Sequence, residues 1–180
     1  DTQVRDEPGP WKKVEAAVDW GFVHAFACEV GGISGSGRIA IIDEIYEKGL
    51  TIDQIISRLK IVKELHGITR FWGDPSEPAY IAQCRQAGLP MEPAQNDVLP
   101  GIDTVARAIA AGMTVSPSCR GLLTELPSYT WAPNRAGGFH EKPIEINDDA
   151  ADALRYLCVG ITGALSTNPW AGLTQVGGVA

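Results

Sequence analysis

The chain has 180 residues, of which 44% are hydrophobic and 21% charged, and it carries a formal net charge of −7. This composition is typical of a globular protein with one core. No apolar run reaches the roughly 18 residues that a membrane-spanning helix needs, so we expect no such helix and no membrane partner. The negative charge argues against indiscriminate nucleic-acid binding, which usually requires a basic surface, but suits a site that gathers carboxylates around divalent cations.

The ends of the chain differ from its middle in composition. Residues 1–12 are polar, contain Pro and Gly, and lack both an initiator Met and an apolar signal segment, so we interpret them as a linker that precedes an excised or processed domain. We expect the domain at 13–165 and a Gly-rich, flexible tail at 166–180. The four cysteines are widely dispersed without a Cys-x-x-Cys pair, which favours buried thiols in a reducing cytosol over disulfides or zinc.

The first third of the chain predicts three strands, at 13–20, 24–30 and 38–46, from their Val- and Ile-rich, partly alternating sequences. A Gly-rich stretch at 31–37 separates the second strand from the third and predicts an antiparallel hairpin. The same stretch is not a phosphate cradle, because it lacks the Gly-Lys-Ser/Thr ending and precedes a strand where a P-loop precedes a helix.

The next region alternates helices with short strands. Thr51 and Gln54 form a capping box before apolar residues at helical spacing, and Gly67 ends that helix. The remaining elements are predicted as a strand at 68–72, a helix at 77–87, a strand at 91–94, a helix at 101–111 and a strand at 113–116. Irregular structure follows at 122–131, with a turn at 134–138. This order predicts a single α/β domain whose mixed sheet has three antiparallel strands, then parallel strands, flanked by helices.

Aspartates occur at three places where such a sheet exposes side chains. Asp19 ends the first strand and Asp74 ends the fourth. Asp148, Asp149 and Asp152 begin an apolar helix that is expected to run to about residue 160. For that last group two interpretations stay open: the acids cap the helix and favour its positive end, or they bind a cation that offsets their repulsion.

The strand-end aspartates favour the metal interpretation. If the first and fourth strands are adjacent and parallel, Asp19 and Asp74 lie side by side, and the last helix can bring the other acids across the same edge. Oxygen ligands without His or Cys select Mg²⁺ or Mn²⁺. Three or four carboxylates can hold two such ions about 4 Å apart, one to activate water and one to stabilise the leaving 3′ oxygen of a phosphodiester.

Five motifs in this order resemble the C-terminal nuclease domain of the large terminase subunits of tailed phages. They are Val-Asp-Trp-Gly at 18–21, Trp-Gly-Asp-Pro at 72–75, Ser-Tyr-Thr-Trp at 128–131, Glu-Lys-Pro at 141–143 and the acidic block Asn-Asp-Asp-Ala-Ala-Asp-Ala-Leu-Arg-Tyr at 147–156. The resemblance covers about residues 14–159 and implies a ribonuclease H-like fold. It also implies a two-metal endonuclease that cuts concatemeric double-stranded DNA at the start and end of packaging.

The resemblance assigns roles to particular residues. It implies Asp19 and Asp74 as catalytic metal ligands, with Asp149 ranked first for the third ligand, then Asp152, then Asp148. Many relatives carry His where Asp149 stands, so this ligand set is expected to be all oxygen. Lys142 and Arg135 are candidate phosphate or DNA contacts, the latter in a turn that is a candidate gate for DNA.

The resemblance also implies partners and a location. These are double-stranded DNA, an ATPase domain of the same full-length protein, a portal and a small terminase subunit, all in the host bacterial cytoplasm. The chain itself has no Walker-type segment, so we expect it to lack ATPase activity and to be monomeric. Two alternatives stay open: a Holliday-junction-resolvase-like nuclease, whose acidic run is similar, and a catalytically idle module that docks on portal or DNA.

Overall fold

The computed structural model describes residues 2–127, 131–133, 139–143 and 148–166, with side chains at 2–127 and 148–163. Its strands are β1 Gln3–Val4, β2 Lys13–Asp19, β3 Ala25–Ile33, β4 Ile39–Lys48, β5 Arg70–Gly73, β6 Met91–Pro93, β7 Thr114–Val115, β8 Trp131–Pro133 and β9 Phe139–Pro143. Its helices are α1 Ile52–His66, α2 Pro78–Gln86, α3 Val98–Ala110, α4 Arg120–Glu125 and α5 Asp149–Ser166. No helix among these residues is long and apolar enough to cross a membrane.

Seven strands form one mixed sheet in the order β1-β7-β4-β3-β2-β5-β6. The pairs β2–β3 and β3–β4 are antiparallel, whereas β2–β5, β5–β6 and β4–β7 are parallel. Strands β8 and β9 form a separate antiparallel pair. The predicted α/β fold, with antiparallel strands first and parallel strands later, is confirmed.

The two faces of the sheet are covered by different helices. One face packs Val18, Phe26 and Cys28 against α1 and α2, where Leu59 and Ile81 are buried. The other face packs Ala17, Ala27 and other side chains against α5, and α3 lies beside α5. Because strand side chains alternate, Asp19 and Glu15 share the α5 face with Ala17.

Helix α1 begins and ends as its sequence predicts. The Thr51 amide donates to Gln54 Oε1 at 2.9 Å, completing the capping box. Gly67 ends the helix in the left-handed region at φ 64°, which glycine adopts without steric cost. Leu59 and Ile55 of this helix are buried in the apolar face of the sheet.

Two glycines predicted as turn residues lie within a strand. Strand β3 continues through Gly31 and Gly32 to Ile33, and the turn follows at 34–37. A Cβ at Gly32 would lie 2.4 Å from Cδ2 of Trp11, and a Cβ at Gly31 would lie 2.9 Å from Cδ2 of Leu157. The glycines are therefore needed for close packing on both faces of the sheet, and the predicted extent of the hairpin loop was wrong.

Two further regions differ from the sequence-based expectations. Residues 122–131 were expected to be irregular, but α4 occupies 120–125, capped by a distant carboxylate. In the stretch interpreted as a linker, β1 pairs with β7, and Asp6 and Glu7 accept hydrogen bonds from the hydroxyls of Ser116 and Thr114. These hydrogen bonds attach the first residues to the sheet. The predicted flexible tail lies, beyond Ser166, outside the described residues.

Glycines set the distance between α5 and its neighbours. A Cβ at Gly160 would lie 2.4 Å from Cε2 of Trp72, so this residue allows the helix to rest on the strand β5. A Cβ at Gly101 would lie 2.5 Å from Cγ of Arg155, so α3 approaches α5 equally closely. The position of α5 over the sheet therefore depends on two contacts that any larger residue would disturb.

Candidate metal centre

The ends of two parallel strands bring Asp19 and Asp74 together. Strand β2 pairs with β5 so that Val18 lies opposite Gly73, and each aspartate is the next residue along its strand. The Asp74 amide donates to the Val18 carbonyl at 3.1 Å, which continues the pairing by one step. Trp20 Nε1 donates to the Asp74 carbonyl at 2.8 Å. The expected adjacency of these strand ends is what the structure shows.

The first turn of α5 carries the other acids to the same edge. Asp149 is the first helical residue, and its Oδ2 accepts a hydrogen bond from the Ala25 amide at 3.2 Å. Ala25 begins β3, which pairs with β2 so that Ala27 lies opposite Asp19. The contact between Asp149 and Ala25 therefore links the acidic block to the β2–β3 hairpin, in which Asp19 is the last residue of β2.

The pKa of Asp19 reflects the charges at this corner of the sheet, where the ends of β2 and β5 meet the start of α5. Burial, followed by the charges of Asp152, Asp74, Asp149 and Asp148, raises the pKa of Asp19 to about 8. Burial disfavours the charged form, and each neighbouring carboxylate disfavours it further. All five predicted acids are thus close enough to interact, and together with burial they make the ionised form of Asp19 unfavourable.

The acids are held by protein donors. Ser76 donates to both Asp74 oxygens, from its amide to Oδ1 at 3.2 Å and from its hydroxyl to Oδ2. Asp152 receives the Arg155 guanidinium, with Nε to Oδ1 at 3.2 Å and an NH2 to Oδ2 distance of 2.8 Å. Within the described residues, no group of three or more His, Cys, Asp or Glu side chains is arranged to hold a metal ion.

Asp152 differs from the other acids of this corner because it pairs with Arg155. The guanidinium is 3% exposed and donates from NH1 to the Asn96 carbonyl at 2.9 Å, besides its contact with Asp152. A buried, bidentate pair of this kind is costly to separate. Asp149 instead accepts a hydrogen bond from a neutral backbone amide, that of Ala25.

Sequence reasoning missed a carboxylate that caps α5. Glu125, at the end of α4, is 3% exposed. Its Oε2 accepts hydrogen bonds from the Ala150 and Ala151 amides at 2.8 and 3.0 Å, and its Oε1 accepts one from the Tyr46 hydroxyl at 2.7 Å. Burial raises the pKa of Glu125, while these three donors act in the opposite direction. The only sequence signal was an acid inside the apolar run Leu-Leu-Thr-Glu-Leu at 122–126.

A second missed feature is a fully buried acid in the middle of the sheet. Glu29 lies opposite Glu44 on β4, and neither of its oxygens has a hydrogen-bond partner among the described residues. Burial and then the charge of Glu44 raise the pKa of Glu29 well above its usual range. Glu44 instead accepts the amides of Gly121 and Leu122, at 2.8 and 2.6 Å, and so caps α4.

The two candidate DNA contacts cannot be placed. Arg135 lies in the 134–138 segment, and the Lys142 side chain belongs to β9, whose side chains are not among those described. Both positions, together with the proposed gating turn, lie outside the described side chains. They stay predictions.

Comparison with solved structures gives the fold a precedent. The large terminase of the thermophilic bacteriophage D6E superposes with a TM-score of 0.79 at 28% identity, covering 88% of this chain and 42% of that one. The nuclease domain of the P22 large terminase gives 0.71 at 18% identity, covering 88% and 87%. The nuclease domain of the SPP1 large terminase, solved with bound Mn, gives 0.70 at 17% identity, covering 86% and 93%.

These neighbours confirm the resemblance and the ribonuclease H-like fold that it implied. The chain spans less than half the length of the D6E protein and most of the two isolated nuclease domains. No protein-family model and no curated relative matches the sequence.

Proposed function

We propose that this chain, whose fold is that of the nuclease domain of phage large terminases, is a metal-dependent endonuclease. In this proposal it cuts concatemeric double-stranded viral DNA at the initiation and completion of genome packaging. The observation that carries the proposal is the charge at one corner of the sheet. There the strand-end Asp19 has its pKa raised to about 8 by burial and by four neighbouring aspartates.

The donor set fits a hard divalent cation. The acids at this corner offer carboxylate oxygens, which Mg²⁺ and Mn²⁺ prefer, and the SPP1 neighbour contains Mn. Asp19, Asp74 and Asp149 would hold the metal, with Asp152 and Asp148 as further candidates for a second ion. Bound there, two ions would activate a water molecule and stabilise the leaving 3′ oxygen of the phosphodiester.

The residues around the acids prepare the site. Asp19 must lose its proton before it can bind a cation, because only the carboxylate offers charge to the ion. Trp20 holds the Asp74 backbone through the carbonyl, while Ser76 keeps the carboxylate hydrogen-bonded until a ligand replaces it. Lys142 and Arg135 are proposed to contact the DNA backbone.

The length of the D6E protein supports the proposal that this chain works together with further domains and subunits. Since the D6E protein is more than twice as long as this chain, we propose that an ATPase domain of the same full-length protein accompanies it and that this chain lacks ATPase activity. Portal and small terminase subunit are the proposed further partners, in the host bacterial cytoplasm. Those components would supply much of the grip on DNA that a chain of net charge −7 lacks.

A nicking assay on supercoiled plasmid with Mn²⁺ tests the proposal. We expect nicking by the wild-type chain and none by Asp19→Ala, while Asp53→Ala, which removes an exposed acid on the remote helix α1, keeps full activity. Equal activity of wild type and Asp19→Ala, or nicking without metal, would falsify the assignment of a metal-dependent nuclease at this site, and absence of nicking by the wild type would favour a docking module. Preferential symmetric cutting of four-way junctions would favour the resolvase-like alternative.

A further inference from the structure

We propose that Glu125 is a positioning residue for the metal centre, because it fixes the first turn of α5 and with it Asp149 and Asp152. This inference rests on the proposed nuclease function. Glu125 Oε2 holds the amides of Ala150 and Ala151, the residues that follow Asp149 directly. Two of the peptide groups in the acidic block are therefore attached to one side chain.

This arrangement differs from an ordinary helix cap. A local cap comes from the residue just before the first turn, whereas Glu125 lies 25 residues before Ala150 and belongs to another helix. A local cap travels with its own helix and leaves the helix free to shift. A cap from a separate element fixes the helix end in space, so it also sets where the acids stand.

The carboxylate is itself anchored to the sheet. Its Oε1 accepts the hydroxyl of Tyr46, which lies on β4 directly opposite Ala27 of β3. Ala27 in turn lies opposite Asp19 of β2. Tyr46 and Asp19 thus lie on one row across three neighbouring strands. Through its hydrogen bonds to Tyr46 and to the amides of α5, Glu125 fixes the position of α5 relative to that row.

The helix α4 that carries Glu125 is held by the same strand. Glu44 accepts the Gly121 and Leu122 amides, and a Cβ at Gly121 would lie 2.5 Å from Cγ of Tyr46. Strand β4 therefore fixes α4 at its start through Glu44 and at its end through Tyr46 and Glu125. These contacts oppose a movement of Glu125 together with a displaced α5.

The chemistry of the acid supports a positioning role. Burying a carboxylate near other acids is unfavourable, since desolvation and like charges both oppose it. An apolar side chain would fill the same space at lower cost but would leave two helix amides and a phenol hydroxyl without an acceptor. Both carboxylate oxygens are occupied, one by α5 and one by the sheet, so each is needed for the link.

The test compares three single variants of the 180-residue chain. Glu125→Gln keeps an acceptor oxygen for α5 but removes the charge that strengthens these hydrogen bonds, and its NH2 group can face Tyr46 only if the phenol hydroxyl turns from donor to acceptor. Tyr46→Phe removes only the sheet anchor. Leu59→Ala creates a cavity on the opposite face of the sheet and serves as a control for lost stability. Affinity for Mn²⁺ is measured by titration calorimetry, and kcat and KM by plasmid nicking, at a temperature where all variants are folded.

We expect Glu125→Gln to weaken Mn²⁺ binding and to lower kcat, each by roughly 10- to 100-fold, with the KM for DNA little changed. Tyr46→Phe should act in the same direction by a smaller factor. Leu59→Ala should leave affinity and kcat unchanged even where its loss of stability equals or exceeds that of the others. Amide exchange at Ala150 and Ala151 should accelerate in Glu125→Gln and stay slow in Leu59→Ala.

Two results separate the inference from the function beneath it. If the wild type binds Mn²⁺ and nicks DNA while Glu125→Gln does both equally well, the positioning role is overturned and the nuclease function stands. If the wild type neither binds Mn²⁺ nor nicks DNA, the proposed function fails, and the positioning role fails with it. Equal losses of Mn²⁺ affinity in Glu125→Gln and Leu59→Ala would reduce Glu125 to a general stabilising contact.

Discussion

The two faces of the sheet bury very different side chains. The face under α1 and α2 is lined by aliphatic and aromatic groups such as Phe26, Leu59 and Phe71. The face under α5 contains three nearly or fully buried glutamates, Glu15, Glu29 and Glu125, and the partly buried Asp19. Burying carboxylates opposes folding unless each finds a partner. The difference indicates that one face provides stability and that the other uses some of it to position charged groups.

Partners for the buried acids are distributed unevenly. Glu15 has the Trp72 indole at 2.8 Å and the Lys13 ammonium. Glu125 has two amides and a phenol hydroxyl. Asp19 and Glu29 instead have raised pKa values, because burial and neighbouring acids dominate around them. Substitutions on the two faces should therefore have effects of different kinds.

The largest expected effect is the loss of catalysis in Asp19→Asn, which removes a charge but preserves shape. We expect nicking to fall by on the order of 10³-fold or more, since loss of a metal ligand forfeits several kcal/mol of transition-state stabilisation. Thermal unfolding without metal should show no loss of stability, because asparagine needs neither the burial of a charge among four acids nor the proton uptake that keeps Asp19 neutral at pH 7. A clearly lowered Tm would contradict the view that this face gives up stability for charge.

Leu59→Ala should have the opposite character. Leu59 is fully buried under the apolar face, so truncation should lower the free energy of unfolding by about 2–5 kcal/mol. The nicking rate per folded molecule should stay within a factor of about two, since the acids lie on the other face. Urea denaturation measures the first quantity and plasmid nicking the second. A large loss of activity in the folded variant would show that the two faces are not independent.

Glu29→Gln should change how stability depends on pH. In the folded chain the pKa of Glu29 lies well above its usual 4.5, so the folded state binds more protons than the unfolded state above that pH. The free energy of unfolding of the wild type should therefore fall as pH rises above about 5, by up to roughly 1.4 kcal/mol per pH unit from this group. Urea midpoints across that range should fall less steeply in Glu29→Gln. Identical slopes would mean that Glu29 is ionised in the folded chain.

The last expected effect concerns the proton on Asp19. With a pKa of about 8 in the metal-free protein, Asp19 is mostly protonated at pH 7, and a cation that binds there must displace the proton. Mn²⁺ affinity should rise by up to about tenfold per pH unit below pH 8 and level off above it. Calorimetry in buffers of different ionisation enthalpy should count about one released proton at pH 7. A pH-independent affinity would remove Asp19 from the ligand set.

The sequence predicted the strand-end acids because their placement follows local rules. Apolar alternation locates β2 and β5, and the last residue of β2 and the residue after β5 fall at the sheet edge, so Asp19 and Asp74 could be found without tertiary information. The capping box of α1 was predictable for the same reason, since Thr51 and Gln54 are three residues apart. The motif order then indicated the fold, which the solved neighbours confirm.

Features that depend on distant contacts could not be predicted in this way. Gly31 and Gly32 suggested a turn, and only the packing of Trp11 and Leu157 against them explains why they lie in a strand. The cap on α5 comes from Glu125, which the chain brings back over 25 residues. Helical spacing could predict the pairing of Asp152 with Arg155. It could not predict the burial of Arg155, which makes the pair costly to separate.

The contact between Gly160 and Trp72 influences the tilt of the whole helix α5. Gly160 rests on the indole of Trp72 and lies eleven residues beyond Asp149, or about 16 Å along the helix axis. A side chain added at Gly160 would lift this end of the rod and tilt the acidic end about the Glu125 attachment. Because the attachment lies beside the acids, this tilt would mainly change the orientation of their carboxylates, on which catalysis depends. The orientation of the acids thus depends on a glycine that lies three helical turns away from them.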